Sequence, residues 1–517
     1  MPYNPTRARR TIITAFLEAR RTFGRTRNIL TDGDERVFTY NTLVRGAYAL
    51  GHAISRFTAK QESIGILLPT GVGSVLSVLA ISAYGRVPAM LNFTSGHQAI
   101  EAALKAASIK RIVTAHKFIE IGKFEELEGW LRERCELIYL EDLREKLSLT
   151  DKVCAVIGPL APWLFQGVTK PDSSAIILFT SGTEGEPKGV VLSHANILAN
   201  VEQIRSHITF KTDDILFNPL PTFHSFGLTG GSLMPLYLGI NTILHPTPRQ
   251  PHEIVRRIRD KSPTILLSTD TFISQYSRSG NEKDLSSLRL VVCGAERLRD
   301  ETRAFLRKKH KIELLEGYGV TEASPVISAN QPDNNRPGTV GRLVSEIEIR
   351  IDQVEGIKDG GRLFVRGPNV MLGYLRPDDP SRIQRPVDGW HDTGDIVYLD
   401  EEGYLSIRGR LKRFAKVGGE SVSLTVVENC ASALWPDDMH AAISVPDDRK
   451  GEQIILVTTC KGANRAAFIH WVENHGVTKL AAPRRIIHVN EIPVLGTGKT
   501  DYSGVKQLCM EQFSKVN

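Results

Sequence analysis

The stretch Phe179–His194, FTSGTEGEPKGVVLSH, directly follows the apolar run SSAIIL at Ser173–Leu178. A buried strand that runs into glycines, hydroxyls and a lysine marks the start of an anion-cradling turn in an α/β sheet. Glycines let the backbone approach a ligand closely, and backbone N–H groups aimed at one point attract an anion. Thr180, Ser181 and Thr183 add donors beside Gly182, and Lys188 supplies a point charge suited to phosphate. The common P-loop reads GxxxxGK[ST]. Here Pro187 precedes Lys188 and Gly189 follows it, so the turn is of another kind. Taken alone, it reads equally well as a solvated surface loop.

Outward from this stretch, strand-like runs alternate with longer helical patterns. SIGILLP (Ser63–Pro69) is followed by GSVLSVLAISAYG and VPAMLNF. RIVTA (Arg111–Ala115) follows QAIEAALKAAS, and TILLST (Thr264–Thr269) follows PHEIVRRIRDKS. Such alternation predicts doubly wound, mostly parallel sheets. From Gly338 to Gly409 the runs shorten to EIEIRI, GRLFVRG and GYLSIRG, which predicts a small antiparallel β-rich unit. After GRLKR the pattern returns to mixed helix and strand, as in a separate small α+β C-terminal domain.

At 517 residues the chain is too long for one core. Its six cysteines are scattered, without a CxxC pair, which argues against a zinc site and fits a reducing cytoplasm. Residues 1–27 hold seven arginines and one acid, Glu18. That balance suits a targeting helix, but TIITAFLEARRTF reads as well as a first amphipathic helix. A peripheral membrane contact through this start stays open. The most apolar window, Gly65–Phe93, is interrupted by Pro69, Arg86 and Pro88 and reads as strand–helix–strand, not as a membrane span.

Three further stretches carry polar chemistry. In EGYGVTEASP (Glu316–Pro325), Tyr318 between glycines can lie against a flat base. Thr321 offers a hydroxyl, and Glu322 a hard oxygen for Mg2+. In GWHDTGDIVYLDEEGYLSIRGRLKR (Gly389–Arg413), Asp395 after a Thr-Gly turn can hold two vicinal hydroxyls or satisfy backbone donors. In PVLGTGKTDY (Pro493–Tyr502), Lys499 is flanked by glycine.

In this order and at these separations, the four stretches resemble the adenylate-forming superfamily of acyl-CoA synthetases, luciferases and peptide-synthetase adenylation domains. The resemblance implies an AMP-binding domain over residues 1–411 and a mobile C-terminal domain over 412–517, with Lys412 at the hinge. It implies that Thr180, Ser181, Gly182, Thr183 and Lys188 orient the ATP phosphates, and that Gly294, Ala295, Glu296 and Tyr318 enclose adenine. Thr321 would contact the α-phosphate, Glu322 would hold Mg2+, and Asp395 and Arg410 would hold the ribose. Lys499 would reach the carboxylate and α-phosphate during adenylation. ATP and Mg2+ are the implied cofactors.

NPLPTFHSFGLTGG (Asn218–Gly231) has no acid where amino-acid-activating members place one, so an unsubstituted carboxylic acid is expected. His224 there is a candidate to line the acyl or carboxylate pocket, or else a packed core residue. GYLSIRGRLKRFAKVGGESVSLTVVE, STDTFISQYSR, GPNVMLGYL and PVLGTGKTDY are similar to the acyl-acyl-carrier-protein synthetase half of bacterial 2-acylglycerophosphoethanolamine acyltransferases. That similarity implies a long-chain fatty acid as substrate and the phosphopantetheine thiol of acyl carrier protein as acceptor. No histidine has aspartate five positions later, so the acyltransferase activity of those enzymes is expected to be missing. FLRKKHK (Phe305–Lys311) and RGRLKRFAK (Arg408–Lys416) are candidate docking patches for an acidic carrier protein, or solvated charge runs. The open alternatives are an acyl-CoA synthetase, a loading ligase of a natural-product pathway and a non-enzymatic relic of the fold.

Overall fold

The structure, a computed structural model, describes residues 2–166, 169–181, 187–357, 359–417, 420–447, 451–475, 477–495 and 499–514. The chain has a mixed α/β architecture in two compact units. The first comprises Met1–Pro337, Gly341–Glu348 and Arg366–His391. The second comprises Gly338–Val340, Ile349–Val365 and Asp392–Asn517.

Two large sheets organise the first unit. In the eight-stranded sheet, Ser174–Ser181, Val87–Met90, Ser63–Ile66, Arg111–Thr114 and Glu136–Tyr139 lie side by side and parallel. The nine-stranded sheet has a parallel core that includes Ile215–Asn218, Ile265–Ser268, Leu290–Cys293 and Leu314–Gly319. Strands buried on both faces read as continuous apolar runs, which explains the sequence of TILLS and LVVC. The window from Gly65 folds as strand, helix Val72–Ala83 and strand Val87–Met90, each almost wholly buried. TIITAFLEARRTF supplies the helix Ile12–Phe23, capped by the Thr11 side chain, with Ile12, Ile13 and Phe16 inside the core. Arg10, just before this helix, pairs with Glu18, and Arg20 on it donates to Asn41 at 2.9 Å.

Residues 338–409 divide between sheets. Glu348–Asp352, Gly361–Arg366, His391–Leu399 and Leu405–Arg410 form a four-stranded sheet. Gly373–Arg376 instead pairs antiparallel with Pro187–Ser193, and Asp379–Gln384 extends that edge. The expected small β-rich unit is this four-stranded sheet, with Gly373–Arg376 outside it. Gly373–Arg376 finds its backbone partners at Gly189–Val191, and strand pairing across that distance leaves no mark on local composition. The second unit also contains a five-stranded sheet flanked by helices Leu424–Leu434, Arg465–Asn474 and Tyr502–Ser514. All six cysteines are free thiols. Cys135, Cys293, Cys430 and Cys509 are buried, while Cys154 and Cys460 are partly exposed.

Candidate functional site

Of the residues in Thr180–Lys188, Thr180 and Lys188 stand on paired strands. Ser174–Ser181 and Pro187–Ser193 pair antiparallel, with Thr180 opposite Lys188. Thr180 and Lys188 are thus strand residues and not parts of a free loop, because the ladder continues to the turn. Gly182 and Thr183 lie outside the described residues, and of Ser181 only the backbone is described. The Lys188 ammonium sits 5.5 Å from the centroid of the Tyr374 ring. A cation over an aromatic face is attracted by the ring quadrupole.

Tyr374 leads on to the second motif. Its hydroxyl donates to Glu322 Oε1 at 2.6 Å, a charge-assisted geometry that fixes one carboxylate oxygen. The Glu322 carbonyl accepts from Met371 N–H at 2.7 Å, which ties the Thr321–Ala323 turn to the segment leading into Tyr374. Ser225 Oγ donates to Thr321 Oγ1 at 3.4 Å, so the stretch Asn218–Gly231 joins the same cluster. Lys188, Tyr374, Glu322, Thr321 and Ser225 therefore form one polar chain drawn from four stretches of sequence. His224, next to Ser225, packs beside Phe223 with ring centroids 4.7 Å apart, and Phe223 meets Phe93 edge-on at 5.0 Å. An apolar wall thus begins where the polar chain ends.

Local backbone structure explains the positions. Phe226–Leu233 forms a π-helix, a rare geometry often found at functional sites. Its glycines admit close packing: a Cβ on Gly231 would stand 2.3 Å from Asn218 Cγ, and one on Gly227 would stand 2.3 Å from the Pro221 carbonyl oxygen. Leu290–Cys293 and Leu314–Gly319 are parallel with Cys293 opposite Glu316, which sets the Gly294–Ala295–Glu296 turn beside Gly317 and Tyr318. A Cβ on Gly294 would approach the Gly317 carbonyl to 3.5 Å. Ala295 adopts a positive φ of 68° and is exposed. The Glu296 carboxylate accepts from Thr271 N–H at 3.0 Å, in the first turn of helix Asp270–Ser279. Burial pushes the Cys293 thiol well up, so this neighbour is an inert packed side chain and not a nucleophile.

In the second unit, Asp395 and Arg410 face each other across antiparallel strands, with Arg410 Nε 3.1 Å from Asp395 Oδ1. Asp395 is buried, and its N–H donates to Thr393 Oγ1 at 3.1 Å, while Arg410 is exposed. Lys412 follows in the short turn Leu411–Arg413 and is exposed. Lys499 is half-buried, and its carbonyl accepts from Leu495 N–H at 2.7 Å. The first-unit and second-unit residues are thus two groups, each with its own internal geometry.

Part of each basic stretch is structural, while Arg307, Lys308, Lys311, Arg408, Lys412 and Lys416 are exposed. Arg413 is held by Glu428 at 2.9 Å, by the Ala442 carbonyl, and over the Tyr502 ring at 3.5 Å. Lys309 donates to the Ser277 and Gly280 carbonyls, His310 is buried, and Arg307 pairs with Glu313 at 2.9 Å. Tyr374 and Ser225 were missed in the sequence. Tyr374 stands in GPNVMLGYL 52 positions from its partner Glu322, and a tyrosine after glycine carries no local sign of that pairing.

The two wound sheets agree with the comparisons to known proteins. The family model described as AMP-binding enzyme matches residues 17–375, well over half of the chain. The chain belongs to the AMP-binding enzyme family. Among curated relatives of this AMP-binding enzyme is a medium-chain fatty-acid–CoA ligase of Escherichia coli, 30% identical over 64% of this chain and 60% of that protein. A long-chain-fatty-acid–CoA ligase of Salmonella typhimurium is 30% identical over 63% of this chain and 60% of its own length. The aligned part thus spans about three fifths of each relative. Two solved structures share the fold across almost the whole AMP-binding enzyme. One is an anthranilate CoA ligase with anthranoyl-AMP, with TM-score 0.80, 22% identity and coverage of 97% of both chains. The other is ATP-bound MatB of Rhodopseudomonas palustris, with TM-score 0.79, 24% identity and coverage of 96% and 98%.

Proposed function

We propose that this AMP-binding enzyme activates a fatty acid with ATP and passes the acyl group to a phosphopantetheine thiol. The polar chain Lys188–Tyr374–Glu322–Thr321 carries this reading. It sets a cation, a carboxylate and a hydroxyl beside an apolar wall, as a polyphosphate next to an acyl chain requires. A carboxylate attacking a polyanion needs charge neutralisation and in-line placement more than a strong base. The new bond joins a carboxylate oxygen to the α-phosphorus, and pyrophosphate leaves with the electron pair of the broken Pα–O bond.

Each residue has a role in this reading. Lys188, with Thr180, Ser181, Gly182 and Thr183, orients the β- and γ-phosphates, and Thr321 bonds the α-phosphate. Gly294, Ala295 and Tyr318 border adenine. Glu296, whose carboxylate accepts from Thr271, holds that turn in place. Asp395 and Arg410 hold the ribose, Lys499 neutralises the α-phosphate, and Lys412 is the pivot of a mobile C-terminal domain over 412–517. Glu322 fits Mg2+. Tyr374 fixes one of its carboxylate oxygens, and no cluster of three or more His, Cys, Asp or Glu competes for metal among the described residues. Mg2+ often takes one protein carboxylate with substrate phosphates and water, and it would supply charge neutralisation at the phosphates.

The acceptor thiol has two readings. Acyl carrier protein is supported by the similarity of Gly403–Glu428 and Pro493–Tyr502 to acyl-acyl-carrier-protein synthetases. Coenzyme A is supported by the relatives named as CoA ligases, and by the engagement of Arg413, Lys309 and His310 inside the protein. In either case sulfur attacks the acyl carbon, the C–O bond to AMP breaks, and the thiol proton is lost to water. The test offers MgATP and labelled palmitate with holo acyl carrier protein and CoA in parallel tubes, plus hydroxylamine to trap the adenylate. Palmitoyl hydroxamate with one thioester product supports the reading and names the acceptor. Absence of hydroxamate and of both thioesters would overturn a palmitate-like substrate.

A further inference from the structure

The helix Leu149–Ile157 packs against the first unit in an inverted sense. Its apolar stripe repeats at Leu149, Val153 and Val156, the spacing of a core-facing helix side, and Leu160 follows in the turn just beyond it. Yet these side chains point to solvent: Leu149 is 80% exposed and Leu160 is 63% exposed. The inward face holds small residues and one buried acid. Asp151 is fully buried, with His52 Nδ1 2.6 Å from its Oδ1 and Ser148 N–H donating to its Oδ2 at 2.7 Å. Gly158 lies against the Tyr48 ring, and Phe165 packs edge-on to Tyr48 and Tyr84. The stripe therefore cannot turn inward without breaking the Asp151 contacts. Just beyond it, Trp163 is 69% exposed and Leu164 is likewise open to solvent.

We propose that this face docks on an anionic phospholipid surface. Seven large apolar side chains in sixteen residues are exposed, Ile157 among them, a density of the kind that marks an interaction site. Charge selects the occupant. Between Lys146 and Pro171 the one acid in the sequence is the buried Asp151, so the exposed charges of the segment are Lys146, Lys152 and Lys170. An apolar stripe with a tryptophan and flanking lysines is the make-up of an interfacial helix. A second copy of the chain would fit less well, because a two-fold interface sets a patch against itself and would bring Lys146, Lys152 and Lys170 together with acids only at the margins, Glu145 and Asp172.

Vesicle flotation tests the proposal with the full chain, without ATP or fatty acid, so failure of the ligase reading leaves the test intact. Vesicles of phosphatidylcholine with 30% phosphatidylglycerol are compared with pure phosphatidylcholine. The expected result is binding that favours the anionic vesicles and falls by at least about tenfold in Val153→Glu/Leu160→Glu. A blue shift of emission on binding should also vanish in Trp163→Phe. Both variants alter exposed side chains, and thermal melting checks that they fold. Absence of vesicle binding, or equal binding by the double variant, overturns the proposal. So does a dimer in sedimentation velocity that the double variant dissolves, or capture of holo acyl carrier protein at this face with vesicles ignored.

Discussion

Tyr374→Phe removes one hydroxyl and keeps the ring. The lost contact is the 2.6 Å hydrogen bond to Glu322 Oε1, while the Lys188 ammonium keeps its aromatic face. A hydrogen bond to a charged group contributes about 1.5–3 kcal/mol net. If Glu322 must hold its orientation for adenylation, that energy becomes a loss of about 10- to 150-fold in kcat/KM for MgATP. Residues that orient a metal-binding group affect activity or metal affinity on the same scale, about 10- to 100-fold. The assay is palmitate-dependent hydroxamate formation across a Mg2+ titration, and the half-saturating Mg2+ concentration should rise with the rate loss. Tyr374→Leu also removes the ring and should cost about a further 2- to 30-fold, since a cation over a ring contributes about 0.5–2 kcal/mol. Because Tyr374 is half-buried on a strand paired on both sides, thermal melting separates unfolding from lost catalysis. Wild-type rate and Mg2+ dependence in a folded Tyr374→Phe protein would refute the link between this hydroxyl and Glu322 function.

The remaining predictions concern other parts of the chain. Lys499→Ala should lower hydroxamate formation by at least about 100-fold and leave thioester formation from supplied palmitoyl-adenylate largely intact; equal loss of both steps would remove Lys499 from adenylation. Asp395→Ala should raise the KM for ATP by about tenfold or more with smaller effect on kcat, and an unchanged KM would remove Asp395 from the ribose site. Burial lowers the His194 and His245 imidazoles to about 4 from 6.5, with the Arg257 charge also acting on His245. The unfolded chain therefore binds more protons between these values. Stability should be intact above pH 6.5 and fall by up to about 3 kcal/mol per group as pH drops towards 4. Melting temperatures at pH 7.5, 6 and 5 should fall in that order, with a shallower slope in His194→Asn. A flat or rising series would contradict the burial of neutral imidazoles.

Much of the fold was legible because helix and strand periods are local properties. The runs SIGILLP, TILLST and RIVTA each became a buried strand of a wound sheet. Partnerships over distance were not legible. Gly373–Arg376 joined the hairpin through backbone pairing with Gly189–Val191, and Tyr374 met Glu322 only because that pairing exists. Charge runs misled in a similar way: Lys309, His310 and Arg413 looked like solvated cations but cap carbonyls or pack on rings. The Leu149–Val156 stripe shows the limit of periodicity, which gives the angle between side chains but not which side faces in. There the contacts of Asp151 decided the orientation.

The cysteines turn the structure into its own measuring device. Cys154 lies in the first compact unit and Cys460 in the second, and the other four thiols are buried. A pair of maleimide dyes would therefore fall one on each unit without any introduced residue, and Cys154→Ser or Cys460→Ser would provide the single-dye controls. Burial raises both thiols, so labelling calls for mildly alkaline buffer. Energy transfer between the dyes, followed as MgATP, palmitate and acceptor thiol are added in turn, would then time any rearrangement of the units against the chemistry on one unmodified backbone.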